Sequence, residues 1–180
     1  QRDSRWLPHP QRRADEVRVA VLGLGQMGRA VVRRLDANGY RVAGWSTREG
    51  QLDNLLAASD IVVNLLPLTP ATRGLFDVAR FSAMRRGASL INLARGAHVV
   101  DADLLAALDT GQLRHAVLDV FHGEPLPIDH PFWSHPRVTV LPHVAAQTDA
   151  RSAAAIVAGN VKRWRAGEPV ANLVDRARGY

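Results

Sequence analysis

Short runs of β-branched and other apolar residues alternate with stretches of helical periodicity along this chain, and that alternation limits its fold more than any other feature. "VRVAVLG" (17–23) reads as a strand. "QMGRAVVRRLDANG" (26–39) reads as a helix whose Met27, Val31 and Leu35 recur every four residues before Gly39 stops it. Further strands are predicted at 41–45, 60–67, 88–94, 115–121 and 137–141, with helices at 52–59, near 78–84, at 101–111 and at 149–166. Asp101 is expected to cap the 101–111 helix, and Gly111 and Gly167 to end the last two. Strands separated by helices cannot pair as hairpins. Their crossovers build a parallel sheet covered on both faces, with ligands at the carboxyl ends of its strands.

The first strand-to-helix turn, "VLGLGQMGRA", carries Gly23, Gly25 and Gly28 in the pattern G-x-G-x-x-G. Gly23 permits a tight turn, Gly25 lets a pyrophosphate approach the backbone, and Gly28 lets the helix pack closely. With Gln26 and Met27 these residues form a candidate phosphate cradle at a helix N-terminus, where amide donors and the helix dipole favour anions. The fold class expected is therefore α/β, a Rossmann-type doubly wound parallel sheet. A carboxylate at the end of the second strand would bind the ribose of NAD. That strand instead ends Trp45-Ser46-Thr47-Arg48, with Glu49 following late. Two hydroxyls and a guanidinium suit a 2′-phosphate, which favours NADP over NAD.

At 180 residues, 47% hydrophobic and without cysteine, the chain can bury a core, and thiolate chemistry is excluded. No apolar run is long enough for a membrane span and no signal-peptide pattern opens the chain, so a cytoplasmic location is expected. The net charge of +6 comes almost entirely from arginines scattered singly or in pairs. They read as solvated faces, and nucleic-acid binding is a minor alternative. The histidines His9, His98, His115, His122, His130, His135 and His143 follow no metal-ligand spacing, and no metal is expected.

Three polar residues stand at the exits of apolar elements: Arg95 after "LINLA", Glu124 in "DVFHGEPLP" and His143 after "VTVLP". Taken singly, each reads better as a surface arginine, a loop acid and a satisfied histidine beside Pro142. Together they match what hydride transfer to a small 2-keto acid requires: a cation for the carboxylate, an acid for the carbonyl oxygen, and a carboxylate to orient that acid.

The segments "VLGLGQMG", "VNLLPLTPATRG", "LINLARGAHVVDADLLAALDTGQL", "AVLDVFHGEPLP" and "HPFWSHPRVTVLPHVAAQT" resemble the D-2-hydroxyacid dehydrogenase family, nearest to its glyoxylate/hydroxypyruvate reductase A group. The resemblance implies Arg95 as carboxylate binder, His143 as acid/base and Glu124 as its partner. It also implies Asp119 near the nicotinamide carboxamide; Leu66, Pro67 and Thr69 lining the cofactor; NADPH as coenzyme; and a homodimer. Members of the family carry a substrate domain ahead of the glycine-rich strand. Residues 1–15 are thus expected to be the remnant of an interdomain helix, 16–147 the dinucleotide-binding domain, and 148–180 a helix and tail returning toward the substrate domain. On that expectation Ala155, Ile156 and Val161 of the final helix are partly exposed and promote self-association. The connection after Gly50 looks shorter than in the family, as though a strand and turn were missing. A non-catalytic cofactor-binding dimerisation module, or an inactive fragment, is the alternative.

Overall fold

The computed structural model describes residues 10–47 and 51–176. Six strands, β1 (Arg18–Leu22), β2 (Arg41–Trp45), β3 (Ile61–Asn64), β4 (Ala88–Asn92), β5 (Leu113–Leu118) and β6 (Val138–Val140), form one sheet in the order β2-β1-β3-β4-β5-β6. Every pairing is parallel. The helices are α1 (Gln26–Ala37), α2 (Leu52–Ala58), α3 (Val78–Ala83), α4 (Asp101–Asp109) and α5 (Ala150–Arg165).

Because side chains alternate along a strand, the sheet feeds two apolar layers. Ala20, Leu22, Val62 and Leu90 pack with Leu56 of α2, Phe81 of α3 and Leu104 and Leu108 of α4 on one side. Val19, Val21 and Val63 pack against Val31, Val32 and Leu35 of α1 on the other. Central strands buried on both faces explain why "VRVAVL" and "DIVVNLL" read as continuous apolar runs rather than alternating ones.

Several boundaries move by a few residues from the sequence reading. β3 stops at Asn64 instead of continuing to 67, and β5 spans Leu113–Leu118 rather than 115–121. Met27 is exposed, so only Val31 and Leu35 of its predicted stripe pack inward. Asp101 does not cap α4: Val100 holds the cap position, and Asp101 is the first helical residue, its carboxylate lying between the His122 and His130 imidazoles. Asp77 and Asp149 do cap, accepting the Arg80 and Ser152 amides. Gly39, Gly111 and Gly167 all hold positive φ just past their helices, as expected.

At the amino end of the sheet, Asp60 binds Arg12 at 2.8 Å, Arg85 at 2.5 Å and the backbone N–H of Arg18 at 2.9 Å. Burial would raise this carboxyl, but those donors outweigh it and hold it below its ordinary range. α5 has no buried residue, and Ile156, Val157, Val161 and Trp164 on one of its faces are exposed. The Asn160 carboxamide exchanges two 3.0 Å bonds with the backbone of Ala171, folding the tail back along that helix. Among the described residues, no helix is long and apolar enough to cross a membrane.

Candidate active site

β1 lies between β2 and β3, so the chain leaves it toward one edge and afterwards returns toward the other. That reversal opens a crevice at the carboxyl ends of β1 and β3, the ligand position in doubly wound sheets. Gly23 turns there with φ +98°, and a Cβ on it would stand 2.5 Å from the Leu65 carbonyl oxygen. A Cβ on Gly28 would meet the Gly23 carbonyl oxygen at 1.7 Å, so Gly28 lets the first turn of α1 close over the glycine turn. A Cβ on Gly25 would meet nothing within 4 Å. The space above Gly25 and the α1 N-terminus together fit a pyrophosphate.

At the end of β2, Trp45 and Ser46 are half-buried and Thr47 is exposed; Arg48 lies outside the described residues. The indole N–H of Trp45 is buried with no hydrogen-bond partner among the described residues, and the ring packs against the core. After β3, the Leu66 side chain belongs to the core, so only its backbone can face a cofactor. The Pro67–Thr69 segment is braced by Thr72, whose hydroxyl donates to the Pro67 carbonyl at 2.7 Å and accepts the Thr69 N–H at 2.9 Å.

Arg95, Glu124 and His143 follow β4, β5 and β6, three neighbouring strands, and the structure brings them to one end of the sheet. Arg95 is exposed. The loop beneath it is set by Gly96, where a Cβ would fall 2.0 Å from the backbone carbon of Phe121. The Arg95 loop therefore lies directly on the segment that leads to Glu124. His143 Nδ1 and Glu124 Oε2 stand 2.7 Å apart, and the other carboxylate oxygen, Oε1, accepts the Phe121 N–H at 2.9 Å. The His143 bond, that amide and the nearby Arg95 charge keep Glu124 below the ordinary carboxylate range. An ionised Glu124 requires the proton on Nδ1, which leaves Nε2 for chemistry. A cleft of about 460 Å³ adjoins the pair, walled by Phe121, Leu126, Trp133 and Leu141.

His143 holds a left-handed backbone, φ +54°. Asp119, buried at the end of β5, compensates for that conformation: its two oxygens accept the N–H groups of Val144 at 2.8 Å and Ala145 at 3.0 Å. Asp119 therefore steers the histidine loop.

Two buried features escaped the sequence reading. Asn64 donates to Asn92 at 3.0 Å, and the two side-chain oxygens accept the N–H groups of Leu66 and Ala94, shaping both strand exits. The signal was present, since "IVVN" and "LIN" each end an apolar run on asparagine. The second is His98, whose ring is fully buried beneath Arg95.

A parallel doubly wound sheet with a glycine turn at its switch point defines a dinucleotide-binding domain. Residues 1–145 match the family model described as D-isomer specific 2-hydroxyacid dehydrogenase, NAD binding domain, and the chain belongs to that family. It is 42% identical to glyoxylate/hydroxypyruvate reductase A of Serratia proteamaculans over the whole chain, but spans 61% of that relative's length. Among solved structures, a D-isomer specific 2-hydroxyacid dehydrogenase from Xanthobacter autotrophicus Py2 in complex with NADPH and MES superposes with TM-score 0.94 at 44% identity, covering 99% of this chain and 79% of that one. An NADPH-dependent glyoxylate/hydroxypyruvate reductase from Sinorhizobium meliloti, in complex with NADP and sulfate, gives TM-score 0.94 at 37% identity, over 99% and 62%.

Proposed function

We propose that the chain is the cofactor-binding part of an NADPH-dependent reductase that converts a small 2-keto acid, glyoxylate or hydroxypyruvate, to the D-2-hydroxy acid. The observation that carries this reading is the 2.7 Å His143–Glu124 pair set next to Arg95 on adjoining strand exits. Arg95 binds the substrate carboxylate and polarises the keto group. His143 gives the proton on Nε2 to the carbonyl oxygen, while Glu124 keeps Nδ1–H in place throughout. Bound NADPH supplies the hydride to the carbonyl carbon, so hydride and proton together complete the alcohol. The preference for NADPH is supported by the absence of a carboxylate among the described residues at the end of β2, by Ser46 and Thr47, and by the relatives crystallised with NADPH or NADP. In this reading residues 16–147 are the dinucleotide-binding domain, 148–180 lead toward a substrate domain, and the enzyme is a homodimer.

A second reading, cofactor binding without turnover, is supported by exposure: the His143 side chain is 54% accessible, and a site open to water loses the benefit of a closed pocket. Following absorbance loss from NADPH and NADH with hydroxypyruvate separates the two. Turnover with NADPH that falls by about 10²–10⁴ in His143→Ala supports the reductase. NADPH binding without turnover supports the second reading. An active His143→Ala variant, or stronger binding of NADH, refutes the corresponding assignment.

A further inference from the structure

The loop after β3 closes its polar groups on one side chain, Thr72, which is 1% exposed. The Thr72 hydroxyl has a single proton to donate. The Thr69 carbonyl oxygen, 3.3 Å away, already accepts the N–H groups of Thr72 at 3.1 Å and Arg73 at 3.0 Å. The proton therefore goes to the Pro67 carbonyl oxygen, at 2.7 Å. One lone pair of the hydroxyl accepts the Thr69 N–H at 2.9 Å. The other faces the Thr69 hydroxyl at 3.2 Å, and the only proton left for that contact belongs to Thr69. The half-buried Thr69 hydroxyl thus directs its proton inward and has no other partner among the described residues, which keeps its lone pairs for a ligand.

We propose that Thr72 is a positioning residue that fixes the Thr69 hydroxyl as a hydrogen-bond acceptor for the nicotinamide riboside half of the cofactor. This rests on the reading given above, in which the chain binds NADPH. The order of the strands supplies the half. In that reading the 2′-phosphate lies at the exit of β2, the pyrophosphate at that of β1, and the reacting end near Arg95 and His143, after β4 and β6. β3 lies between β1 and β4, so the Thr69 loop stands where the cofactor passes from pyrophosphate to nicotinamide. The donors of that half are the ribose hydroxyls and the carboxamide NH2 group. A freely rotating hydroxyl would meet donors and acceptors alike. The Pro67–Thr72–Thr69 relay settles its direction before the cofactor arrives, and a group ordered in advance loses less freedom on binding.

The test measures equilibrium binding of NADPH to the intact chain, beside adenosine 2′,5′-bisphosphate, which lacks the nicotinamide riboside. Thr72→Val is expected to raise the NADPH Kd about tenfold, the loss of one ordinary hydrogen bond, and to leave the bisphosphate Kd within about twofold. Thr72→Ser, which keeps the hydroxyl, restores NADPH binding to within about threefold of the parent. Thr69→Val weakens NADPH by the same factor as Thr72→Val, and the double variant is no weaker than either, because Thr72 acts through Thr69. Four results overturn the proposal: equal weakening of both ligands, a Thr72→Ser variant as weak as Thr72→Val, additive losses in the double variant, or a Thr69→Val variant with the parent's NADPH affinity. Should Thr72→Val fail to fold, Thr72→Cys takes its place under the same criteria, since a thiol is a weak donor and a weak acceptor. The reduced cofactor analogue with a 3-acetylpyridine ring has no carboxamide NH2 and identifies the donor. Thr69→Val leaves its Kd unchanged if the carboxamide is the partner, and raises it about tenfold if a ribose hydroxyl is. A parent chain that does not bind NADPH refutes the cofactor reading, and the role of Thr72 falls with it; the four results above overturn the proposal while that reading stands.

Discussion

Asp119→Asn tests how the histidine loop is held. The substitution keeps side-chain volume, and Asp119 is 2% exposed, so packing is unchanged. Both carboxylate oxygens accept backbone N–H groups, from Val144 at 2.8 Å and Ala145 at 3.0 Å. An asparagine satisfies only one, and in either orientation its NH2 group points at the other N–H. One charge-assisted bond, worth about 1.5–3 kcal/mol, is lost, and a buried donor left unpaired adds about 1–3 kcal/mol if the loop stays. The loop has an easier course. Residues 143–145 are exposed, and His143 at φ +54° regains roughly 1 kcal/mol by leaving the left-handed region. Release therefore limits the cost, and a loss of about 2 kcal/mol is expected in urea unfolding followed by tryptophan fluorescence. The same release separates His143 from Glu124, so turnover falls about 100-fold, the scale of a 1 Å misplacement. A variant within about 0.5 kcal/mol of the parent, with only the NADPH KM raised, would refute this reasoning. That pattern would return Asp119 to the nicotinamide role that the family resemblance implies.

Gly96→Ala should cost at least 1–3 kcal/mol and about 100-fold in turnover, because its Cβ would stand 2.0 Å from Phe121 backbone and force apart the loops of Arg95 and Glu124; unchanged melting and activity would contradict the close approach. The folded-state carboxyl of Asp60 titrates below its ordinary range, so its contribution to stability is complete above about pH 4 and is lost as pH falls through the folded value. Asp60→Asn should remove that part of the acid limb and cost about 1–2 kcal/mol at pH 7 in denaturant unfolding, and an identical acid limb would count against the ion pairs. For His98, burial, with smaller help from the Arg95 and Arg73 charges, lowers the imidazole pKa; the unfolded chain then binds more protons, and stability declines as pH falls below about 6.5. His98→Asn should flatten that slope, and an unaltered slope would refute the assignment. Trp164→Glu and Val157→Glu, on the exposed face of α5, should reduce self-association in sedimentation runs while leaving the unfolding midpoint in place; a lowered midpoint would mean that this face is packed within the chain.

The order of strands and helices, the glycine turn and the helix stops were legible in the sequence because each depends on residues close along the chain. Apolar periodicity needs a few neighbours, and Gly39, Gly111 and Gly167 need only their own positive φ. Arg95, Glu124 and His143 were legible as candidates for a similar reason, since each follows an apolar run. What tertiary structure decided was the order β2-β1-β3-β4-β5-β6, which places the exits of β4, β5 and β6 side by side and the crevice at β1 and β3. It also decided the partners of buried polar groups: Asp119 on the amides of Val144 and Ala145, Asn64 on Asn92, and His98 between the carbonyls of Arg95 and Pro67. Asp101, by contrast, carries a good local capping signal and yet is drawn between two histidines. Local preferences of this kind amount to about 1 kcal/mol, and long-range packing, summed over a whole core, overrides them wherever the two disagree.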